Sequence, residues 1–142
     1  MFDALEVIAS AMAAARTRVN TLTGNLANAE TTKTPEGGPY RARHVVQVAQ
    51  DMPGTFSDAL DRMSLKRPQI SQVVLDQSEP KRVYQPGHPD ADTNGYVAYP
   101  NINVVSTMTD LMSASRLYQA HVTALESARS LQAEAGKILY QA

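Results

Sequence analysis

Residues 104–125 read Val104-Val-Ser-Thr-Met-Thr-Asp-Leu-Met-Ser-Ala-Ser-Arg-Leu-Tyr-Gln-Ala-His-Val-Thr-Ala-Leu125. Within this stretch Val104, Met108, Leu111, Ser115, Tyr118, Val122 and Leu125 recur at steps of four and three. That spacing keeps one stripe on one side of an α-helix. The pattern runs on to about Tyr140 through Ala128, Leu131, Ala135 and Ile138, with two successive three-residue steps where a strict heptad needs a four. No proline interrupts it, and its only glycine is Gly136. At about 1.5 Å per residue such a helix is a rod of roughly 55 Å. A rod that long needs a second helix along its seam.

The beginning of the chain supplies one. Leu5, Ile8, Met12, Ala15, Val19, Leu22, Leu26 and Ala29 alternate steps of three and four through four heptads. The expected fold is mainly α with a small β-rich insert, its two terminal helices paired as an antiparallel coiled coil. Residues 1–30 and 104–142 then form one unit and residues 31–103 a second, outer segment. Two helices of an ordinary bundle explain the seam equally well, but no further long amphipathic helix is visible between Thr31 and Asn103.

The first helix is expected from Glu6 to Ala29, with Gly24 its weak point at about 1 kcal/mol relative to alanine. Pro35, Gly37, Gly38 and Pro39 then make a turn-rich loop. Strands are expected at Tyr40–Val48, Ile70–Leu75, Arg82–Tyr84 and Tyr96–Tyr99. Within Asp51–Arg67 the spacing of Phe56, Ala59, Leu60 and Met63 fits two turns of helix, and a loop fits it equally.

At 142 residues the length suits one domain, yet with two Phe and no Trp large anchors for a compact core are scarce. A net charge of −1 gives no reason to expect nucleic acid or an anionic membrane as partner. The absence of cysteine removes disulfides, thiolate zinc sites and a cysteine nucleophile. Asp3 and Glu6 stand where a secretory leader carries Lys or Arg, and no run approaches the length of a membrane span. Neither a cleaved leader nor membrane insertion is expected.

Charge is distributed unusually. Val19–Ala29 and Tyr96–Thr109 carry no charged side chain, and Leu117–Leu125 contains only His121. A helical hairpin in water normally covers its outer faces with Lys, Glu and Arg. Small and neutral outer faces instead let helices approach without desolvating charge. Both faces of the hairpin are therefore expected to be covered by other hairpins.

Candidate chemistry is thin. His44, His88 and His121 lack partners at metal-ligand spacing, and no serine lies in a nucleophile elbow. Asp90-Ala-Asp92-Thr-Asn94-Gly95 matches the first half of an EF-hand loop, but position twelve would be Asn101, which offers no bidentate carboxylate. An Asx-rich turn with Gly95 at positive φ is the simpler reading. No enzyme activity, cofactor, metal or small-molecule substrate is expected.

Residues 24–41, Gly-Asn-Leu-Ala-Asn-Ala-Glu-Thr-Thr-Lys-Thr-Pro-Glu-Gly-Gly-Pro-Tyr-Arg, resemble the N-terminal signature of the bacterial flagellar rod, hook and hook-filament junction proteins. Pro86-Gly-His-Pro-Asp-Ala-Asp92, Gly95-Tyr-Val-Ala-Tyr-Pro-Asn101 and Ala114-Ser-Arg-Leu-Tyr-Gln-Ala120 are similar to the proximal-rod branch of that family. Ser106-Thr107 and His121 depart from its usual pattern. The resemblance implies a subunit of the drive shaft, exported through the flagellar type III apparatus without a cleaved leader. Its partners would be copies of itself and other rod subunits.

On this reading Leu5, Ile8, Met12, Val19, Leu22 and Leu26 pair with Val104, Met108, Leu111, Tyr118, Val122 and Leu125 within a subunit. Asn20, Asn25, Asn28, Ser115, Arg116 and Gln119 make contacts between subunits. Pro35, Gly37, Gly38, Pro39, Tyr40 and Arg41 belong to the turn from inner tube to outer layer. The alternative is a soluble helical-hairpin module that docks one partner and never polymerises.

Overall fold

The computed structural model describes residues 2–51 and 66–141, with side chains placed over 4–51 and 66–137. Helix α1 is Phe2–Ala27 and helix α2 is Val104–Gln141. Between them lie strands β1 (Arg43–Asp51), β2 (Lys66–Leu75), β3 (Lys81–Tyr84) and β4 (Tyr96–Tyr99). The strands form two separate antiparallel pairs, β1–β2 and β3–β4. The fold is thus two helices plus two small sheets. Apart from Asp51, Lys66 and Arg67, which are strand residues, the stretch 51–67 with its Phe56, Ala59, Leu60 and Met63 lies outside the described residues.

Helix α1 packs along α2, and the β1–β2 hairpin packs on α1. The β3–β4 ribbon rests on neither helix among the described elements. Side chains satisfy free backbone groups at the start of α2 and at the end of α1. Asn103 caps α2 by accepting the Ser106 N–H at 3.1 Å. At the end of α1 the Asn28 side-chain amide donates to the Gly24 carbonyl at 2.9 Å, and Thr31 donates to Asn28 Oδ1 at 3.2 Å. Asn28 is therefore engaged within its own chain.

The loop of residues 31–40 is closed by the Tyr40 N–H donating to the Thr31 carbonyl at 3.0 Å. Pro35 presets the φ angle of a turn over Thr34–Gly37, in which the Gly37 N–H donates back to Thr34. Gly37 and Gly38 take positive φ angles of 90° and 74°. This closure holds Tyr40 out of the sheet, so β1 starts at Arg43 rather than Tyr40. Strand β2 starts at Lys66 and not Ile70, because Pro68 is tolerated opposite Ala49 in a two-stranded sheet with free edges. The register shifts between Val46 and Gln47, leaving Ser71 as the unpaired extra residue of a bulge.

Arg67 fastens the far end of this hairpin to the first turns of α1. Its Nη1 donates to Glu6 Oε1 at 2.8 Å, while Nε and Nη2 share Gln50 Oε1 at 3.3 and 3.2 Å. Glu6 is half exposed to solvent, so the pair contributes no more than about 1 kcal/mol and weakens in salt. Arg67→Met is expected to speed amide exchange in the distal half of β1–β2 at low ionic strength. At high salt the difference from the parent should largely vanish.

The core is small. Among the described residues the buried apolar side chains are Ala14, Ala15, Ala42, Val97 and Ala114, with Val97 the largest of them fully enclosed. Alanine at the innermost points of both helices permits close approach, but each contributes little apolar area.

Candidate assembly surface

The inward side of α2 runs Thr107, Leu111, Ala114, Tyr118, His121, Leu125, Ala128, Gln132 and Ala135, each buried or half-buried. These positions alternate steps of four and three without a slip. They are offset from the expected stripe, which followed the largest apolar residues. Val104 and Met108, assigned to the seam, are exposed, and Leu131 is 63% exposed, with Gln132 half-buried in its place. The reason is geometric. Facing α1 selects positions by direction and not by size, so Ala114, His121 and Gln132 share the inward row with Leu111, Tyr118 and Leu125. Leu111, Tyr118, Val122 and Leu125 on α2 are half-buried, as are Leu5, Ile8, Met12, Val19, Leu22 and Leu26 on α1.

The expected contacts between subunits divide. Asn20, Arg116 and Gln119 are exposed, whereas Ser115 is half-buried beside the inward stripe. Asn25 is overturned as an outward residue: it is 4% exposed and wholly engaged in its own chain. Its Nδ2 donates to the Arg43 carbonyl at 2.8 Å, and its Oδ1 accepts the Arg43 N–H at 2.8 Å and the Tyr40 hydroxyl at 3.1 Å. A side-chain amide has the donor–acceptor pair of a peptide group, so it pairs the outward backbone of the first β1 residue. A helix position close to the chain reversal was the only hint in the sequence.

Of the turn residues, Pro35, Gly37, Gly38 and Arg41 are exposed, and Pro39 and Tyr40 half-buried. Arg41 donates to the Gln77 side chain at 3.2 Å, tying the loop to the segment after β2. Nearby, the Asp76 carboxyl is held below its usual range, chiefly by the Ser78 N–H it accepts at 2.9 Å; His44, 3.8 Å away, adds a smaller effect.

The acidic turn at 90–95 is internally occupied. Asp90 Oδ2 accepts the Thr32 hydroxyl at 2.7 Å, and Asp92 Oδ1 accepts the N–H groups of Asn94 and Tyr96 at 2.8 and 2.9 Å. Gly95 has a φ of +80°. The first of these bonds ties the end of the 90–95 turn to the loop after α1. Among the described residues no group of three metal-ligating side chains converges, and no helix is long and apolar enough to cross a membrane.

Between Val104 and Leu125 the outward side of α2 carries several large apolar side chains and only two charges, Asp110 and Arg116. Val105 is 75% exposed and Met112 62%, with Met108 and Leu117 also open to solvent. Isolated exposed apolar residues are ordinary, but a series along one helix marks a surface meant to be covered.

Two family models match the chain over its helical ends: the flagella basal body rod protein over residues 5–33, and the flagellar basal body rod FlgEFG protein C-terminal over residues 93–137. The chain is 38% identical to the flagellar basal-body rod protein FlgC of Salmonella typhimurium over 131 residues, 92% of either chain. It is 35% identical to FlgC of Borreliella burgdorferi, covering 98% of this chain and 97% of that one. With FlgC of Bacillus subtilis the identity is 34%, over 96% and 97%.

The chain belongs to the FlgC family.

As a member of the FlgC family it is a structural protein of the flagellar basal-body rod. The family models fall on α1 with its following turn and on β4 with α2, and leave the β1–β2 hairpin between them.

Proposed function

We propose that this chain polymerises through α1 and α2 with copies of itself and with other axial proteins, forming the part of the drive shaft that passes motor torque towards hook and filament. The two helices pair as an antiparallel coiled coil and line the inner tube. Residues 31–103 form an outer layer. The chain reaches the periplasmic rod through the flagellar type III export apparatus and has no catalytic role.

The observation that carries this reading is the outward side of α2, where Val105, Met108, Met112 and Leu117 stand in solvent with Arg116 and Asp110 the only charges between Val104 and Leu125. A small alanine core supports the same reading, since neighbours would supply the apolar burial that the single chain lacks. A helix pair with one narrow seam is marginal alone. Circular dichroism combined with sedimentation tests the proposal. Helix content is expected to lie below that of two complete helices in dilute solution and to rise as the chain assembles. A monodisperse monomer with complete helices and protease-resistant ends would instead be a non-polymerising binding module.

A further inference from the structure

Helix α2 carries two separate outward stripes. Val105, Met108 and Met112, at steps of three and four, lie near its start. Leu117, Ala120, Ala124 and Leu131, at steps of three, four and seven, lie further along and are all exposed. At 3.6 residues per turn the second stripe sits about 120° round the helix from the first, and the face packed on α1 is about 90° from the second and about 150° from the first. The centres of the two stripes are about 15 residues apart, or about 22 Å along the axis.

We propose that these stripes are the two halves of one contact between copies of this chain: the Val105–Met112 stripe of one copy packs against the Leu117–Leu131 stripe of the next. This rests on the reading of the chain as a polymerising subunit. A helix with one face on its own partner and one apolar stripe on either side is built to have a neighbour on both sides. Because the stripes differ, the contact is heterologous, and successive copies point the same way and step along the axis by about 22 Å. Side-chain sizes are complementary. Two methionines and a valine meet a surface in which leucines flank two alanines, so bulky adaptable groups face shallow positions.

Charge complements the same register. Arg116 borders the first stripe and Glu134 the second, both exposed. With copies parallel and displaced by about 15 residues, Arg116 of one lies on the same side of the contact as Glu134 of the next, within about one helical turn. In the alternative pairing, first stripe on first stripe, Arg116 would have no Glu134 of the next copy within reach.

The chain has no cysteine, so engineered thiols report only the intended contact. Full-length Met108→Cys and Ala124→Cys variants are mixed under mild oxidation at concentrations where the parent assembles. The mixed disulfide is expected in severalfold excess over either self-linked dimer. Adding Arg116→Glu to the first variant should lower its yield about fivefold, and Glu134→Arg in the second should restore it. Sedimentation of the same samples separates the outcomes. Assembled protein with no excess of the mixed link overturns the stripe pairing alone. Protein that stays monomeric and unlinked overturns the assembly reading and the pairing with it.

Discussion

Replacing Asn25 by alanine is expected to destabilise the full chain by about 2–4 kcal/mol, although the residue is polar and lies on a helix. Three hydrogen bonds end on its side chain: from its amide to the Arg43 carbonyl, and to its oxygen from the Arg43 N–H and the Tyr40 hydroxyl. Truncation would leave both backbone groups of Arg43 without a partner on the α1 side, next to a 4%-exposed position that water reaches poorly. Arg43 pairs in register with Leu75, and its outward N–H and carbonyl are turned towards α1 and not β2. The ladder therefore cannot take them over. Asn25→Asp should be nearly as damaging, since a carboxylate still accepts the N–H but faces the carbonyl with no proton to give. Tyr40→Phe removes only one bond, whose donor leaves with it, and should lower stability by about 1 kcal/mol. Urea unfolding of the three variants checks the order. Equal midpoints for Asn25→Ala and Tyr40→Phe would mean that the amide does not hold the base of the hairpin.

Asn25 also shows why sequence periodicity reaches only part of this molecule. An asparagine near the end of an uncharged helix has the same local signature whether it faces a neighbouring subunit or its own chain. What decides is where Arg43 is brought by the loop closed between Thr31 and Tyr40, a separation no helical period encodes. The same holds for α2. Its helical character was legible from the four-and-three spacing, but only part of the inward face was: Leu111, Tyr118 and Leu125 lie on it as the period implied, whereas apolar size was no guide to the positions between them. Val105, Met112 and Leu131 stand outside while Ala114, His121 and Gln132 stand inside. The rule that apolar size marks the core assumes one interior. A subunit of an assembled rod has several, and large apolar side chains are shared among them. Strand β2 was foreshortened for a different reason. Pro68 reads as a breaker, and only the two-stranded sheet, with its open edge, makes it harmless. The 90–95 turn, by contrast, was legible as an Asx-rich turn, because Asp92 and Gly95 act on backbone within four residues of themselves.

That turn carries the other large effect. Gly95→Ala is expected to destabilise the β3–β4 ribbon by about 2 kcal/mol, from two sources that add. Gly95 holds a φ of +80°, where an L-residue with a Cβ is strained by about 1 kcal/mol or more. A Cβ built there would also lie 2.9 Å from Tyr84 Cε2 and 3.2 Å from Pro86 Cβ. The proline ring has no rotamer by which to withdraw. Tyr84 can swing outward, since it is largely exposed, but it then gives up its edge contact with Tyr96, whose ring centroid is 5.3 Å away. Moving the backbone instead would disturb the Gly95 carbonyl, which accepts the Gln85 N–H at 2.8 Å. Because the ribbon rests on neither helix among the described elements, the loss should be local. Global unfolding is expected to move little, whereas exchange protection of the Lys81–Tyr84 and Tyr96–Tyr99 amides should fall about thirtyfold, the equivalent of about 2 kcal/mol. Gly95→Asn separates the two sources, since asparagine tolerates positive φ but carries the same Cβ. It should recover part of the protection and no more. Full recovery would assign the whole effect to the backbone and leave the contact with Tyr84 and Pro86 without weight.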